Sequence, residues 1–287
     1  MKSPLARITA LAVAAPLAYS LIEPYRLAVR HFTVTLPHLP DGAEGLRIAQ
    51  LSDLHCSALT SPGVVREAVA LCNAQKPHVV ALTGDFVSRR DSYAMVTLAR
   101  FWARPVMEYA AATTAELARL EAPEGIFAVP GNHDHSGGCC DAIGSLLETA
   151  GITVLLNRHV WLREVLPLIG VDDLRAGRPD FRRACAEIAP EQAQVILSHN
   201  PRFFSLVTDR NCLVISGHTH GGQVHLPLTS FRRRPNDMHG SPWNEGWYCY
   251  GPAQMYVSRG VGSVHFPMRF RCPPEIAVFT LRRAIEA

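Results

Sequence analysis

Five short polar clusters carry residues able to do chemistry: Asp53-Leu54-His55, Gly84-Asp85, Gly131-Asn132-His133-Asp134, Ser198-His199-Asn200 and Gly217-His218-Thr219-His220. Carboxylate, imidazole and carboxamide donors suit hard-to-borderline divalent cations such as Mn²⁺, Fe²⁺ or Zn²⁺. Without thiolate ligands, the group differs from a structural cysteine-type zinc site. Asp53 and His55 stand two residues apart, so an extended backbone would turn both side chains to one side and let them grip one ion, with Cys56 facing away. Asp85, following a glycine, has two carboxylate oxygens and can bridge two ions. Taken singly, each motif is ordinary turn chemistry, and a lone histidine is more often a satisfied core residue than a ligand. Their joint occurrence in turn-like contexts points to ligands.

Each cluster ends a short apolar run: residues 46–51, 79–83, 126–130, 195–197 and 213–215. Runs of this length, rich in Val and Ile and bounded by Gly, Pro or Asn, read as buried strands of a covered sheet. Further strands are expected at 223–226, 254–258 and 276–280. Helices are expected from Ser61-Pro62 onward, over 93–120 with a break or kink at Pro105, and over 141–150 and 180–188. Strands alternating with helices predict an α/β layered domain whose ligands lie beyond the carboxyl ends of the strands. Every polar cluster falls at such an end, so chain-distant tips can converge on one site.

Residues 46–287 read as one catalytic domain and 31–45, Pro- and Gly-rich in their second half, as a linker. Residues 1–30 read as a membrane anchor or signal-like segment. Within them, 8–22 are uncharged, rich in Ala and Leu, interrupted by Pro16 and flanked by Lys2, Arg7, Arg26 and Arg30. The run is shorter than the ~20 residues a spanning helix needs. A cleaved signal, a short or tilted span and an interfacial anchor all remain open. A buried first helix fits poorly, because polar residues are nearly absent from all its faces.

With 287 residues, 48% hydrophobic and 18% charged, the chain has room for a large core and is not a disordered segment. A formal charge of +3 creates no demand for nucleic acid, and none is expected as a partner. Eight cysteines could form a disulfide framework, but a chain of this length needs no staples; mostly reduced thiols are expected.

In this order, the five motifs resemble the calcineurin-like metallophosphoesterase superfamily, over nearly all of the chain after the apolar segment. The resemblance implies a four-layer αββα sandwich of two mixed sheets flanked by helices, with a dinuclear centre. Asp53, His55, Asp85 and His220 would hold one metal, and Asp85, Asn132, His199 and His218 the other. Such a pair lowers the pKa of a bound water and holds phosphoryl oxygens for in-line attack. His133, not a ligand in the family's pattern, would be the catalytic residue that stabilises the transition state or protonates the leaving oxygen. Two Mn²⁺ ions are the expected cofactors, with Fe and Zn as alternatives.

Protein Ser/Thr phosphatases of the superfamily carry Gly-Asp-x-x-Asp-Arg-Gly and Gly-Asn-His-Glu, from which Ser88 and Asp134 depart. Residues 217–227, with Tyr256-Val257-Ser258-Arg259-Gly260 and Cys272-Pro273-Pro274-Glu275, are instead similar to a membrane-anchored bacterial branch. That branch includes phosphodiesterases and UDP-2,3-diacylglucosamine pyrophosphatases of lipid A synthesis. The expectation is therefore a metal-dependent phosphohydrolase at a membrane surface, its domain on the cytoplasmic side, acting on a phosphodiester or nucleotide-linked lipid. A general or cyclic-nucleotide phosphodiesterase is the alternative, and a non-catalytic binding module on the same fold is a third reading. Arg232, Arg233, Arg234, Arg259, Arg269 and Arg271 are candidates for diphosphate or headgroup contacts. Phe203, Phe204 and Trp243 read as core before they read as an apolar entrance.

Overall fold

Two six-stranded mixed sheets face each other in the structure, a computed structural model that describes residues 14–88, 103–225 and 243–284. In the first, the order is β1 (Ala28–Leu36), β12 (Glu275–Arg283), β2 (Arg47–Leu51), β3 (Val79–Leu82), β4 (Ile126–Ala128) and β5 (Thr153–Val154). In the second it is β10 (Gly246–Tyr250), β11 (Ala253–Val257), β9 (Cys212–Ser216), β8 (Gln194–Leu197), β7 (Leu166–Gly170) and β6 (Arg158–Leu162). Neighbours are parallel except at β12–β2, β6–β7 and β10–β11. The central strands β3, β8 and β9 are buried at every residue, as continuous apolar runs covered on both faces should be.

One apolar layer lies between the sheets, where Ile48, Ala81, Leu197, Leu213, Ile215 and Phe279 meet. A second lies under α2 (Pro62–Ala74), α3 (Val106–Leu117) and α4 (Cys140–Thr149) on the outer face of the first sheet. On the outer face of the second sheet, Phe203 and Phe204 pack beneath the 3₁₀ turn Pro201–Leu206 and the single-turn α5 (Phe181–Ala184). The expected αββα layering is present, with one outer helical layer much thinner than the other. Both phenylalanines are core, as read from the sequence.

Local chemistry explains the element ends. Pro62 occupies the first turn of α2, and Val64, Val65, Ala68, Val69 and Cys72 form its single buried face. Pro105 sits at the N-cap of α3, so the expected break falls there; residues 93–102 lie outside the described residues. The helix expected over 180–188 stops after one turn: Asp180 accepts from the Arg183 N–H at its start, and Glu187 turns left-handed with φ of 68° beyond its end. At 223–226 the expected strand is reduced to a single bridge between Val224 and Phe270, with Leu226 outside the described residues. All eight cysteines are free thiols.

The expected linker is not one. Residues 28–36 form a nine-residue edge strand in parallel register with β12, from Ala28 opposite Glu275 to Leu36 opposite Arg283. Leu36, Leu39 and Ala43 are buried between the sheets. The Pro and Gly residues of 37–45 only shape the turn that returns the chain to β2. Ahead of β1, residues 14–22 are helical (α1) and run into the 3₁₀ turn Glu23–Tyr25. Among the described residues no helix is long and apolar enough to cross a membrane.

Leu36→Ala is expected to lower the unfolding free energy by about 3 kcal/mol, within the range for truncating a fully buried leucine. Urea denaturation measures it. A loss below about 0.5 kcal/mol, usual for an exposed position, would return the segment to linker status.

Candidate metal centre

The carboxyl ends of β2, β3, β4, β8 and β9 open to one edge of the sandwich, and the five polar clusters meet there. Gln50, fully buried in β2, ties the two sheets just below: its Nε2 donates to Thr83 Oγ1 at 2.8 Å and to the Ser216 carbonyl at 2.9 Å. Above it the loops after β2 and β3 run side by side, with Asp53 N–H donating to Gly84 O, His55 N–H to Asp85 O and Cys56 N–H to Phe86 O, all at 2.9–3.0 Å. Asp53 and His55 do come to the same place, but not along an extended strand. Their φ values are 52° and 45°, and Asp85, His218 and His220 are likewise left-handed. The alternation rule behind the expectation therefore gives the right neighbours for the wrong reason.

Glycines stand where backbones touch. A Cβ on Gly84 would collide with the Gly131 backbone, and one on Gly131 with Asp85 itself. A side chain at Gly217 would displace Ser52 and Asp53. The glycines of three motifs thus serve close approach between loops.

All seven residues read as ligands are brought together, in two groups. Asp53, His55 and His220 offer donor atoms within 4.8 Å of one another, and so do Asp85, His199 and His218. Asp85 Oδ2 lies between the groups, 3.4 Å from His55 Nε2 and 3.2 Å from His199 Nε2. Asn132 joins the second group with its Oδ1 3.3 Å from His199 Nε2. His133 packs edge-on against the His55 ring at 4.7 Å, and its backbone N–H donates to Asp85 Oδ1 at 2.8 Å.

The groups that orient these side chains were mostly not legible in the sequence. His199 Nδ1 bonds the Thr83 carbonyl at 2.7 Å, which leaves Nε2 as its donor atom toward the cluster. Ser88 Oγ lies 2.9 Å from His55 Nδ1 and does the same for that ring. Ser52 Oγ donates to Asp53 Oδ2 at 2.6 Å, and the His218 N–H reaches the same carboxylate. Asp134 accepts from the backbone N–H groups of Asp85, Phe86 and Gly131 at 2.8–2.9 Å. It pins the loop carrying Asp85 to the loop carrying Asn132. Nothing in the order of residues marks Ser88 or Thr83; Asp134, three residues after Gly131, is the one that turn chemistry could have flagged.

Of the arginines offered as phosphate contacts, Arg269 is fully buried and donates to the carbonyls of Arg259, Gly262 and Cys272, so it is a scaffold residue. Arg259 is paired with Glu245. Arg232, Arg233 and Arg234 lie outside the described residues.

The electrostatics fit cations. Burial works against the charged form of Asp85, yet the neighbouring His199 and His133 charges and hydrogen bonds from His199 and His55 hold its carboxyl well below the usual range. Burial also opposes a charge on His199, but Asp85 and then Asp53 and Asp173 raise it well above an ordinary histidine. His220 is lowered by burial and by the charges of His55 and Arg269, and its Nε2 is buried with no hydrogen-bond partner. Buried carboxylates and imidazoles stacked this closely are stable only if opposite charge is supplied among them. An oxygen- and nitrogen-rich donor set with one carboxylate shared between two groups fits two divalent ions.

Two facing sheets, with such a set at the shared carboxyl-end edge, are the arrangement of a metal-dependent hydrolase. The comparisons with known proteins carry this to the family: residues 46–222 match the calcineurin-like phosphoesterase family, and the chain belongs to it as a metal-dependent phosphohydrolase. It is 31% identical to the uncharacterized metallophosphoesterase YkuE of Bacillus subtilis, over 91% of this chain and 87% of that protein. It is 30% identical to phosphodiesterase YaeI of Escherichia coli, over 88% and 87%. It is 26% identical to the UDP-2,3-diacylglucosamine pyrophosphatase LpxG of Chlamydia muridarum, over 90% of each.

Asp134→Ala removes the acceptor that pins the two loops and is expected to weaken retention of Mn²⁺ by about 10- to 100-fold, the scale seen when an outer-shell partner is lost. Competition with a fluorescent chelator measures it, and Asp134→Asn, which keeps one acceptor oxygen, should fall between. An Asp134→Ala affinity equal to wild type would reduce the residue to a turn former.

Proposed function

We propose that this protein uses two divalent ions, Mn²⁺ first among them, to hydrolyse a phosphodiester or phosphoanhydride bond in a membrane-borne, nucleotide-linked lipid. The observation that carries the dinuclear reading is the place of Asp85 Oδ2 between His55 Nε2 and His199 Nε2. Asp53, His55, Asp85 and His220 would hold one ion, and Asp85, Asn132, His199 and His218 the other. When bound, the ions supply an activated water and charge to hold the phosphoryl oxygens. The chain's own part is to fix the donors: Thr83 and Ser88 set the His199 and His55 rings, and Asp134 keeps Asp85 aimed between the groups. His133, whose ring packs against His55, would donate a proton to the leaving oxygen.

The lipid substrate is supported by the similarity to LpxG and by the apolar amino-terminal run. A nucleotide-linked precursor of this kind implies a domain on the cytoplasmic side, held at the membrane by the apolar run 8–22. The similarity to YaeI favours a second reading, a phosphodiesterase of broader range.

Hydrolysis of bis(p-nitrophenyl) phosphate should vanish on chelation and return with Mn²⁺. His133→Ala should lower kcat by about 10²-fold or more, the usual contribution of general acid–base catalysis. Asn132→Ala should raise the Mn²⁺ concentration needed for half-maximal rate. If neither substitution changes turnover, the site is misassigned. With UDP-2,3-diacylglucosamine as substrate, release of UMP is expected; an enzyme active on the diester that releases none would favour the broader reading.

A further inference from the structure

The amino-terminal helix is joined to the metal centre through the segment 269–271. Residues 14–19 are exposed on every side, and their sequence continues the uncharged run that begins at Ile8. Leu17, Leu21, Ile22 and Tyr25 are each about half exposed or more. From Ser20 the chain is clamped. The Ser20 carbonyl accepts the Arg269 N–H at 2.9 Å, and Glu23, almost fully buried, accepts the Arg271 N–H at 2.7 Å. Tyr19 packs edge-on against Phe270, and Arg26 donates to its hydroxyl.

The other side of the 269–271 segment is the metal centre. The Arg269 guanidinium, with no exposed surface, donates to the carbonyls of Arg259 and Gly262 and lies 3.5 Å from His220 Nδ1. The loop it holds is bonded to the first metal group's loop: Val261 N–H donates to Ser52 O and Gly262 N–H to Asp53 O. A single arginine therefore touches the end of the apolar helix with its backbone and the His220 ring with its side chain. A flexible tether would need no such contacts, and burying Glu23 costs free energy that a tether would not incur.

We propose that Glu23 and Arg269 form a rigid clamp between a bilayer-inserted helix and the loop behind Asp53 and His220, so that the clamp sets the height of the metal centre over the membrane and matches it to phosphates at headgroup level. The occupant of the exposed helix is the bilayer: its surface is apolar all round, it prolongs an apolar run, and Tyr19, Tyr25 and Arg26 sit at its base as interfacial residues do. This rests on the phosphohydrolase reading above and adds the positioning device.

The test compares a soluble diester, bis(p-nitrophenyl) phosphate, with hexadecyl p-nitrophenyl phosphate embedded in phosphatidylcholine vesicles containing phosphatidylglycerol, using the full chain loaded with Mn²⁺. Glu23→Ala should bind vesicles as wild type does, yet its ratio of embedded to soluble turnover should fall about tenfold, because attachment without the right geometry forfeits the gain in effective concentration. Glu23→Gln, which keeps an acceptor oxygen for the Arg271 N–H, should restore most of the ratio. Leu17→Glu with Leu21→Glu should reduce co-sedimentation with vesicles. An unchanged ratio in Glu23→Ala, or an equal loss on both substrates, overturns the clamp, and so does undiminished co-sedimentation of the double variant. Wild type inactive on both diesters while still bound to vesicles would instead fail the phosphohydrolase reading.

Discussion

A buried carboxylate shared by two imidazoles is the constraint around which this protein is built. Asp85 has almost no exposed surface, with His55 on one side and His199 on the other. It keeps its charge only because hydrogen bonds and neighbouring positive charge compensate for the water it has lost. Its position is over-determined: Asp134 holds its N–H, the His133 N–H holds its Oδ1, and its carbonyl receives the His55 N–H. The glycines at 84 and 131 are what allow two loops to approach closely enough for those bonds to form.

The sandwich exists to bring five strand ends to one edge. Parallel neighbours β2, β3 and β4 in one sheet and β8 and β9 in the other deliver their carboxyl ends on the same side. The apolar layer between the sheets brings those ends within side-chain reach of each other. Gln50 is a polar residue in that layer, and its two hydrogen bonds tie β2 and the residue after β3 in one sheet to β9 in the other. A buried amide nitrogen costs free energy unless it is paired, so the two bonds of Nε2 favour one register between the sheets. Slippage that would separate Asp53 from His218 would also leave the Gln50 amide unpaired.

What could be read from the sequence was whatever depends on residue type at a strand tip. Runs such as Val79-Val80-Ala81-Leu82 are unmistakable as buried strands, and Asp or His after Gly is a recognisable tip. The strand 28–36 escaped notice although Phe32-Thr33-Val34-Thr35-Leu36 alternates apolar and polar as a half-buried strand does, because the prolines and glycines after it dominate the composition of 31–45. The outer contacts escaped for a different reason. Ser88 on His55, Thr83 on His199 and Arg269 beside His220 are meetings of chain-distant residues, and nothing local distinguishes a serine that aims a ligand from one that ends a strand. Arg269 is the sharpest case: arginine in a phosphohydrolase suggests phosphate, while three-dimensional packing makes it a tie between four loop carbonyls and a histidine.

The left-handed backbone at Asp53, His55, Asp85, His218 and His220 links the folding of this protein to its chemistry. Sparsely populated conformations of this kind cost on the order of 1–3 kcal/mol each when the surroundings do not supply compensation. Part of the compensation is visible in the zipper between the β2 and β3 loops and in the Asp134 carboxylate. The remainder must come from what neutralises the two carboxylates among the histidines, because the same hydrogen bonds that fix the loops also bring like-charged groups together. Cation binding at this edge would therefore also stabilise the fold there. Residues that aim the ligands then stabilise the protein and tune its metal affinity through the same contacts, which is why the outer groups, no less than the ligands, determine whether the site can act.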